Sequence, residues 1–359
     1  MRESPPCRRE RDKDGAPRDG AHGGSHTDRR SVSGAELGTK ILYLSQADVA
    51  SVGLGMAEII AVLEAAFREK GEGRVEMPAK IGVHPEMDAF LHAMPASIPA
   101  QQSVGIKWVA GFPGNSRRGL PYITGLLILN DFATGLPLAV MDCVWITAKR
   151  TGAATALSAK YLARPESATA GILGCGVQGR SNLEALHVLF PLSKAFAYDT
   201  HPDRREAYAK EMSSHLGIEV TAVSEAKQAV SGCDLVVTAG PILRKPHATI
   251  QPGWLEEGAF ASLVDFDSYW HPGAFHEAGK FCTDDTPQLH YYRSLGYFQD
   301  IPPIHAELGE LVTGHKPGRE NLRERTMACN LGIALDDFAV APLIYARALE
   351  RAIGTWLPL

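Results

Sequence analysis

A glycine-rich hexapeptide, Gly174-Cys175-Gly176-Val177-Gln178-Gly179, stands between the apolar run ATAGIL and the helical run SNLEALHVL. Few folds accommodate that arrangement. The first glycine permits a tight strand-to-helix turn. The second lets a pyrophosphate approach the backbone, and the third lets the helix lie close on the strand. Free N–H groups at the start of the helix then face the phosphates. The segment is therefore expected to hold a dinucleotide, with Gly174, Gly176, Val177, Gln178 and Gly179 forming the loop. Asp199 closes the next strand, twenty residues after Gly179, and Thr200 follows it. A carboxylate there can bind both ribose hydroxyls and repels a 2′-phosphate, so NAD(H) is favoured over NADP(H). Arg204 and Arg205 soften that preference.

The surrounding pattern fits. KAFAYD, DLVVTAG and AFASLVD read as strands, and PDRREAYAKEMSSHL reads as a helix. Strands alternating with helices imply a parallel sheet covered on both faces. Upstream the pattern differs. FLHAMPA, GIKWVAG, TGLLILND and LPLAVMD are short apolar stretches set off by Pro and Gly, which predicts a twisted, mostly antiparallel sheet. Met56, Ile59, Ile60, Leu63 and Phe67 recur at helical spacing, and Gly71-Glu72-Gly73 ends that helix. A further helix is expected over 147–162, rich in small residues that allow close approach of another backbone. Helical stretches are also expected over 304–312 and 331–353, the latter kinked or restarted at Pro342.

Residues 1–40 hold nine Lys/Arg and seven Asp/Glu with almost no large apolar side chain. Such a segment cannot bury enough surface to offset its ordering entropy, so it is expected to be a disordered tail. The whole chain, 359 residues with a formal net charge of -5, lacks the basic balance of a nucleic-acid binder. It has no run approaching the roughly 18 apolar residues of a membrane helix, and no apolar signal segment. Six scattered cysteines without a Cys-x-x-Cys pair suggest reduced thiols in the cytoplasm and no metal site.

GIKWVAGFPGN, TAKRTGAATALSAKYLA, GILGCGVQG, AYDTHP, the run through DFD, ELGELVTGHKPGR and GIALDDFAVA occur in this order. Together they make the chain resemble the ornithine cyclodeaminase/mu-crystallin family over roughly residues 41–355. The resemblance implies an α/β fold in which a Rossmann-like NAD-binding domain (147–314) is inserted into a smaller α+β domain. That smaller domain (41–146 plus 315–359) would bind substrate and form a homodimer interface, with the active site in the cleft between the two.

The resemblance also implies roles. Arg150 matches the arginine that captures the substrate α-carboxylate, for which its fork is suited. Lys107 matches an active-site lysine near that carboxylate, and a lysine inside the apolar strand GIKWV is costly without a partner. Lys80 falls where many members have arginine, keeping the charge but losing the fork. Asp267 matches the general base, with Asp265 as the neighbouring carboxylate. His92 replaces a glutamate that would hold a distal amine, and Tyr122 replaces a threonine. Both changes, and the bulky DFDSYW segment, argue against ornithine itself.

The expected chemistry is hydride transfer at the α-carbon of a small amino acid through an imine. Three activities follow: cyclising deamination of a diamino acid, net oxidation or reduction of an amino acid or cyclic imino acid, and non-enzymatic binding of the mu-crystallin kind.

Overall fold

The computed structural model describes residues 38–359. The expected tail lies, up to residue 37, outside them. Its first half comprises β1 (Lys40–Leu44), α1 (Gln46–Ser51), α2 (Met56–Gly71), β2 (Ile81–Val83), β3 (Phe90–Ile98), β4 (Ser103–Gly111), β5 (Ile123–Asn130) and β6 (Pro137–Asp142). Then come α3 (Val144–Leu162), β7 (Thr169–Leu173), α4 (Val177–Leu189), β8 (Lys194–Tyr198), α5 (Pro202–Leu216), β9 (Glu219–Ala222), β10 (Leu235–Thr238) and β11 (Phe260–Leu263). The chain continues through α6 (Pro272–Phe275), β12 (Lys280–Thr283), α7 (Thr286–Ser294), β13 (Ile304–Glu307), α8 (Leu308–Thr313), β14 (Thr326–Cys329), α9 (Ala334–Glu350) and β15 (Thr355–Pro358).

These strands make two sheets. The first runs β15-β1-β6-β5-β4-β3-β2. It is antiparallel throughout except that β1 lies parallel to β6. Its inner face carries a cross-strand row, Leu44, Met141, Leu127, Lys107 and Met94, each member in register with the next. All five are buried. One register step away, the outer row is Tyr43, Val140, Ile128, Ile106 and Pro95. Successive side chains on a strand point to opposite faces, so the register that buries Lys107 turns Trp108 outward, where it is 45% exposed.

The second sheet runs β13-β12-β14-β11-β10-β7-β8-β9 and is parallel throughout. The chain winds outward in both directions from β7 and β10. The C-terminal ends of that pair are the place where open parallel sheets bind ligands, and the glycine loop leaves β7 there.

Helix α3 packs against strands of both sheets, and α9 packs against the first. A Cβ at Gly152 of α3 would sit 2.4 Å from the Ser181 carbonyl oxygen of α4, so the small residues do bring these backbones into contact. Ser181 Oγ donates to Ala148 O at 2.6 Å, and Thr155 Oγ1 lies 2.8 Å from Ser262 Oγ on β11. Helix α9 runs continuously through Pro342. Proline has no N–H for the carbonyl four residues back. That carbonyl, Phe338 O, instead accepts from Ser103 Oγ of β4 at 2.6 Å. The Phe338 ring fills the space where a Cβ of Gly105 would stand, 2.5 Å away, which seats α9 on the first sheet.

Three expectations need correction. Residues 304–307 form a strand, because alternation there buries Ala306 and pairs the segment with β12; only 308–313 is helical. The last long helix starts at Ala334, and 331–333 is loop, with Gly332 at φ +71°. The segment 315–359, expected wholly with the first sheet, gives β14 to the parallel sheet, between β11 and β12.

Candidate functional site

The glycine loop has the geometry its sequence requires. Gly174 has φ +106°, and a Cβ there would stand 2.5 Å from Ala239 O. A Cβ at Gly179 would stand 2.2 Å from Gly174 O, so only glycine lets α4 approach its own turn this closely. Gly176 is the N-cap of α4, and a Cβ there would meet nothing within 4 Å. That open side lies over the first N–H groups of α4, with Val177 exposed and Gln178 half-buried. Asp199 Oδ2 accepts from Cys175 N at 3.0 Å, and Oδ1 accepts from His201 N at 2.9 Å. Thr200 is exposed beside it, its hydroxyl 3.1 Å from His201 Nδ1. A cleft of about 420 Å³ opens next to the loop, lined by Gly176, Val177, Arg180, Asp203 and Arg204 among others. Arg205 donates instead to Asp199 O at 3.2 Å.

A second group forms where α3, α9 and the first sheet meet. Arg150, on α3, donates from Nη1 to Asp336 Oδ2 at 3.0 Å, and its Nε lies 3.3 Å from Asp337 Oδ1. Lys107 Nζ lies 2.5 Å from Asp337 Oδ2 with neither side chain exposed at all. These are contacts of opposite charge, and Asp337 engages one of the three N–H groups of Lys107. Beyond these contacts with one another, both atoms and both oxygens of Asp337 have no hydrogen-bond partner among the described residues. Burial pushes the Lys107 pKa down, opposed by the Asp337 charge. Burial also works against the Arg150 charge, but Asp337, Asp336 and Asp284 outweigh it and raise its pKa. Asp336 is pushed up to about 7 by burial, against the pull of Arg150.

Lys80 joins this group. Its Nζ donates to Leu331 O at 2.9 Å and Gly332 O at 3.1 Å, and sits 5.0 Å from the Tyr292 ring centroid. Its backbone N–H donates to Gln288 Oε1 at 2.7 Å. Asp284 accepts from Gly332 N at 2.8 Å on the other side of the same turn. A Cβ on Gly332 would come within 2.4 Å of Arg150 Nη1, so glycine is needed to cradle the guanidinium. Burial lowers the Lys80 pKa and raises that of Asp284, each opposed by the other's charge.

His92 stacks on Phe90 with ring centroids 4.3 Å apart and meets Tyr292 edge-on at 6.5 Å. Burial, then the Lys80 charge, push its pKa down to about 3, so it is neutral. Tyr122 is half-buried, its hydroxyl raised to about 12 by burial and then by Tyr297 and Asp88.

Asp267 follows β11 and is 9% exposed. Its Oδ2 accepts from Phe298 N at 2.9 Å, while Oδ1 has no partner. Burial raises its pKa. Asp265 is spoken for, accepting from Thr238 Oγ1 at 2.6 Å and Gly240 N at 2.9 Å. Phe266 between them has φ +63°, a strained value for a side chain of this size. That backbone turn accompanies the different partners of the two acids. Burial, then the Asp284, Asp267 and Asp265 charges, push the pKa of the fully buried Cys329 thiol up, and the Lys80 charge opposes them.

Of the residues expected from the sequence, Lys80, Lys107 and Arg150 lie in this cluster, together with Asp284, Asp336, Asp337 and Tyr292, which the sequence reading did not single out. The two adjacent acids inside the apolar helical run GIALDDFAVA were a readable signal, since a helix buried on every face has no solvated side for them.

The model of the Ornithine cyclodeaminase/mu-crystallin family matches residues 40–352. Among solved structures, the Delta(1)-pyrroline-2-carboxylate reductase of Thermococcus litoralis, in complex with NADH and L-proline, is 35% identical. The match covers 88% of this chain and 99% of that one, with a TM-score of 0.80. An archaeal alanine dehydrogenase dimer with bound NAD is 35% identical, with 89% and 99% covered and a TM-score of 0.77. A lysine cyclodeaminase, described with L-lysine, L-ornithine and L-2,4-diaminobutyric acid, is 27% identical, with 89% and 96% covered and a TM-score of 0.79. With its glycine loop, its parallel sheet and a match over nearly all the described residues, the chain belongs to the ornithine cyclodeaminase/mu-crystallin family.

Proposed function

We propose that this chain is an NAD-dependent oxidoreductase of a small amino or imino acid with an uncharged side chain. The carrying observation is the meeting of Lys107, Arg150 and Lys80 in a buried cluster where Lys107 Nζ and Arg150 Nε retain unused hydrogen-bonding capacity. A substrate α-carboxylate would take up those donors. The loop fits NAD: Gly176 leaves open the space a Cβ would fill, α4 begins beneath it, and Asp199 stands where a ribose would lie. Bound there, the nicotinamide supplies or accepts the hydride. The chain's own residues do the rest. Lys107, Arg150 and Lys80 fix the carboxylate and so aim the α-carbon into the cleft. Asp267 Oδ1, free and with a raised pKa, takes a proton from the amine or from attacking water. His92 and Tyr122 border the side chain of the substrate, and a neutral His92 offers no partner to a second ammonium.

A second reading, cyclising deamination of a diamino acid, draws on Asp88. That half-buried carboxylate acts on the hydroxyls of both Tyr122 and Tyr297, and a distal ammonium could reach it. The homodimer belongs to the same proposal. The outer face of the first sheet shows Tyr43, Trp108, Leu126 and Ile128 at least one-third exposed, an apolar surface that a second copy would cover. We assign substrate binding and this interface to the first sheet with α9, and the cofactor to the parallel sheet, β14 included. A cytoplasmic setting agrees with the free, buried thiols of Cys143, Cys175, Cys233, Cys282 and Cys329.

The test is a turnover screen of purified protein. NAD is offered with L-amino acids, and NADH with cyclic imines, while absorbance near 340 nm and released ammonia are read together. Net NADH formation or consumption is expected. Ammonia without net NADH change would overturn this reading in favour of cyclodeamination. NADH binding without turnover on any substrate would favour a binding protein.

A further inference from the structure

We propose that Asp337 is a positioning residue: from the first turn of α9 it keeps the buried Lys107 ammonium charged and steadies the Arg150 guanidinium, without using up the donors that a ligand needs. This rests on the reading that Lys107 and Arg150 bind a carboxylate, and it adds how they can do so from inside the core.

Lys107 stands in the middle of an apolar row, between Leu127 and Met94, with no exposure. A cation there without a counter-charge would shed its proton. Asp337 is equally buried and lies in contact with it. The two neighbouring acids act differently. Asp336 forms a true hydrogen bond with Arg150 Nη1 and so fixes the guanidinium plane. Asp337 contacts Lys107 Nζ through Oδ2 at 2.5 Å and Arg150 Nε through Oδ1 at 3.3 Å. It balances two charges with one contact to each, so the other N–H groups of the ammonium and the guanidinium remain for a ligand. Its place in the first turn of α9 suits an anion, because the helix dipole is positive there. The seating of Phe338 on Gly105 holds that turn against β4.

The other charged or titratable groups acting around Lys107 are Asp336 on α9, Arg150 on α3, the Cys143 thiol before α3, Lys80 before β2 and His92 on β3. Two of these, Arg150 and Lys80, are cations that would drive the Lys107 proton off, so the acids of α9 are what oppose them.

The experiment uses full-length protein loaded with NADH and the unreactive probe pyrrole-2-carboxylate. Asp337→Asn is expected to weaken probe binding about tenfold or more near pH 7, with the penalty growing as pH rises. NADH affinity should stay within about twofold. Asp337→Glu should restore part of the loss. Lysine labelled at Cε reports the charge directly by NMR: the Lys107 signal should stay protonated to alkaline pH in the parent and titrate earlier in Asp337→Asn. An unchanged Lys107 titration in Asp337→Asn overturns the proposal, and so does a binding loss that is independent of pH and not rescued by glutamate. Should Asp337→Asn not fold, Asp337→Glu decides: Lys107 must stay protonated to alkaline pH in it, and a Lys107 that titrates early there overturns the proposal. Lys107→Met separates the two levels. Loss of probe binding in Lys107→Met with none in Asp337→Asn sinks only the present proposal. Equal binding by parent and Lys107→Met sinks the carboxylate reading itself, and the NMR titration then still decides whether Asp337 sets the charge of Lys107.

Discussion

At the glycine loop, the groups that would meet a ligand are backbone N–H groups at the start of α4. The nearest side chain of note, Asp199, already accepts from two neighbouring N–H groups. At the cluster between α3, α9 and the first sheet, the groups are side chains, all buried, and Lys107 Nζ, Arg150 Nε and both Asp337 oxygens have no partner beyond their contacts with one another. The first region works through shape: a glycine where a Cβ would collide, and another where a Cβ would fill the ligand's space. The second works through charge held out of water. Opposite charges in contact offset each other's desolvation without satisfying every donor. A shape-based site is damaged by adding atoms, and a charge-based site by removing one member.

The largest effect is expected at the cluster. Lys107→Met leaves Asp337 buried beside one remaining cation and should cost about 3–5 kcal/mol of stability, since an uncompensated buried charge is the penalty. The double variant Lys107→Met/Asp337→Leu should recover most of that in a denaturant titration, yet remain inactive. If the double variant is as unstable as the single one, charge balance is not what the pair contributes.

At the loop the contrast is between two glycines. Gly179→Ala forces α4 away from its turn and should cost about 1–3 kcal/mol together with cofactor affinity. Gly176→Ala has room and an ordinary backbone angle, φ -87°, so its melting temperature should match the parent. NADH binding, followed by fluorescence, should still weaken about tenfold, because the new methyl enters the phosphate space. Equal melting losses in both variants would contradict the geometry of the loop.

The smallest effect is a slope. An Asp carboxyl ordinarily titrates near 3.8, and burial raises that of Asp336 to about 7. Between those values the folded protein holds a proton that the unfolded chain does not, so this group's contribution to stability falls as pH rises through the window. Melting temperature followed from about pH 5 to about pH 7 should decline less steeply in Asp336→Asn than in the parent. Equal slopes in the two proteins would mean that Arg150 keeps Asp336 ionised throughout.

The same contrast explains what could be read in advance. The loop was legible because its constraints are local: three glycines between a strand and a helix leave little else to build. Lys107 was legible as a charge in an apolar strand. Its partners were not, because Asp284, Asp336 and Asp337 reach the site from the far end of the chain, and no local pattern joins them to a lysine in β4. Strands β12 and β14 were missed for a related reason. Each has four residues, all buried, and such runs carry no alternation to mark them. The strand at 304–307 hid inside a helical reading because it is just as short and leads directly into α8.

The row that contains Lys107 also bears on the order of folding. A slip of one residue in β4 would turn Lys107 to solvent and Trp108 inward, a pairing that local hydrophobicity alone would prefer. What rejects the slipped form is Asp337, which arrives on α9 only after the whole parallel sheet has been synthesised. The first strand of the same sheet likewise waits for its neighbour β15 at the other end of the described chain. The strands from β2 to β6 pair with their neighbours in sequence, whereas β1 pairs with β6 and β15, so that edge of the antiparallel sheet is expected to lock last.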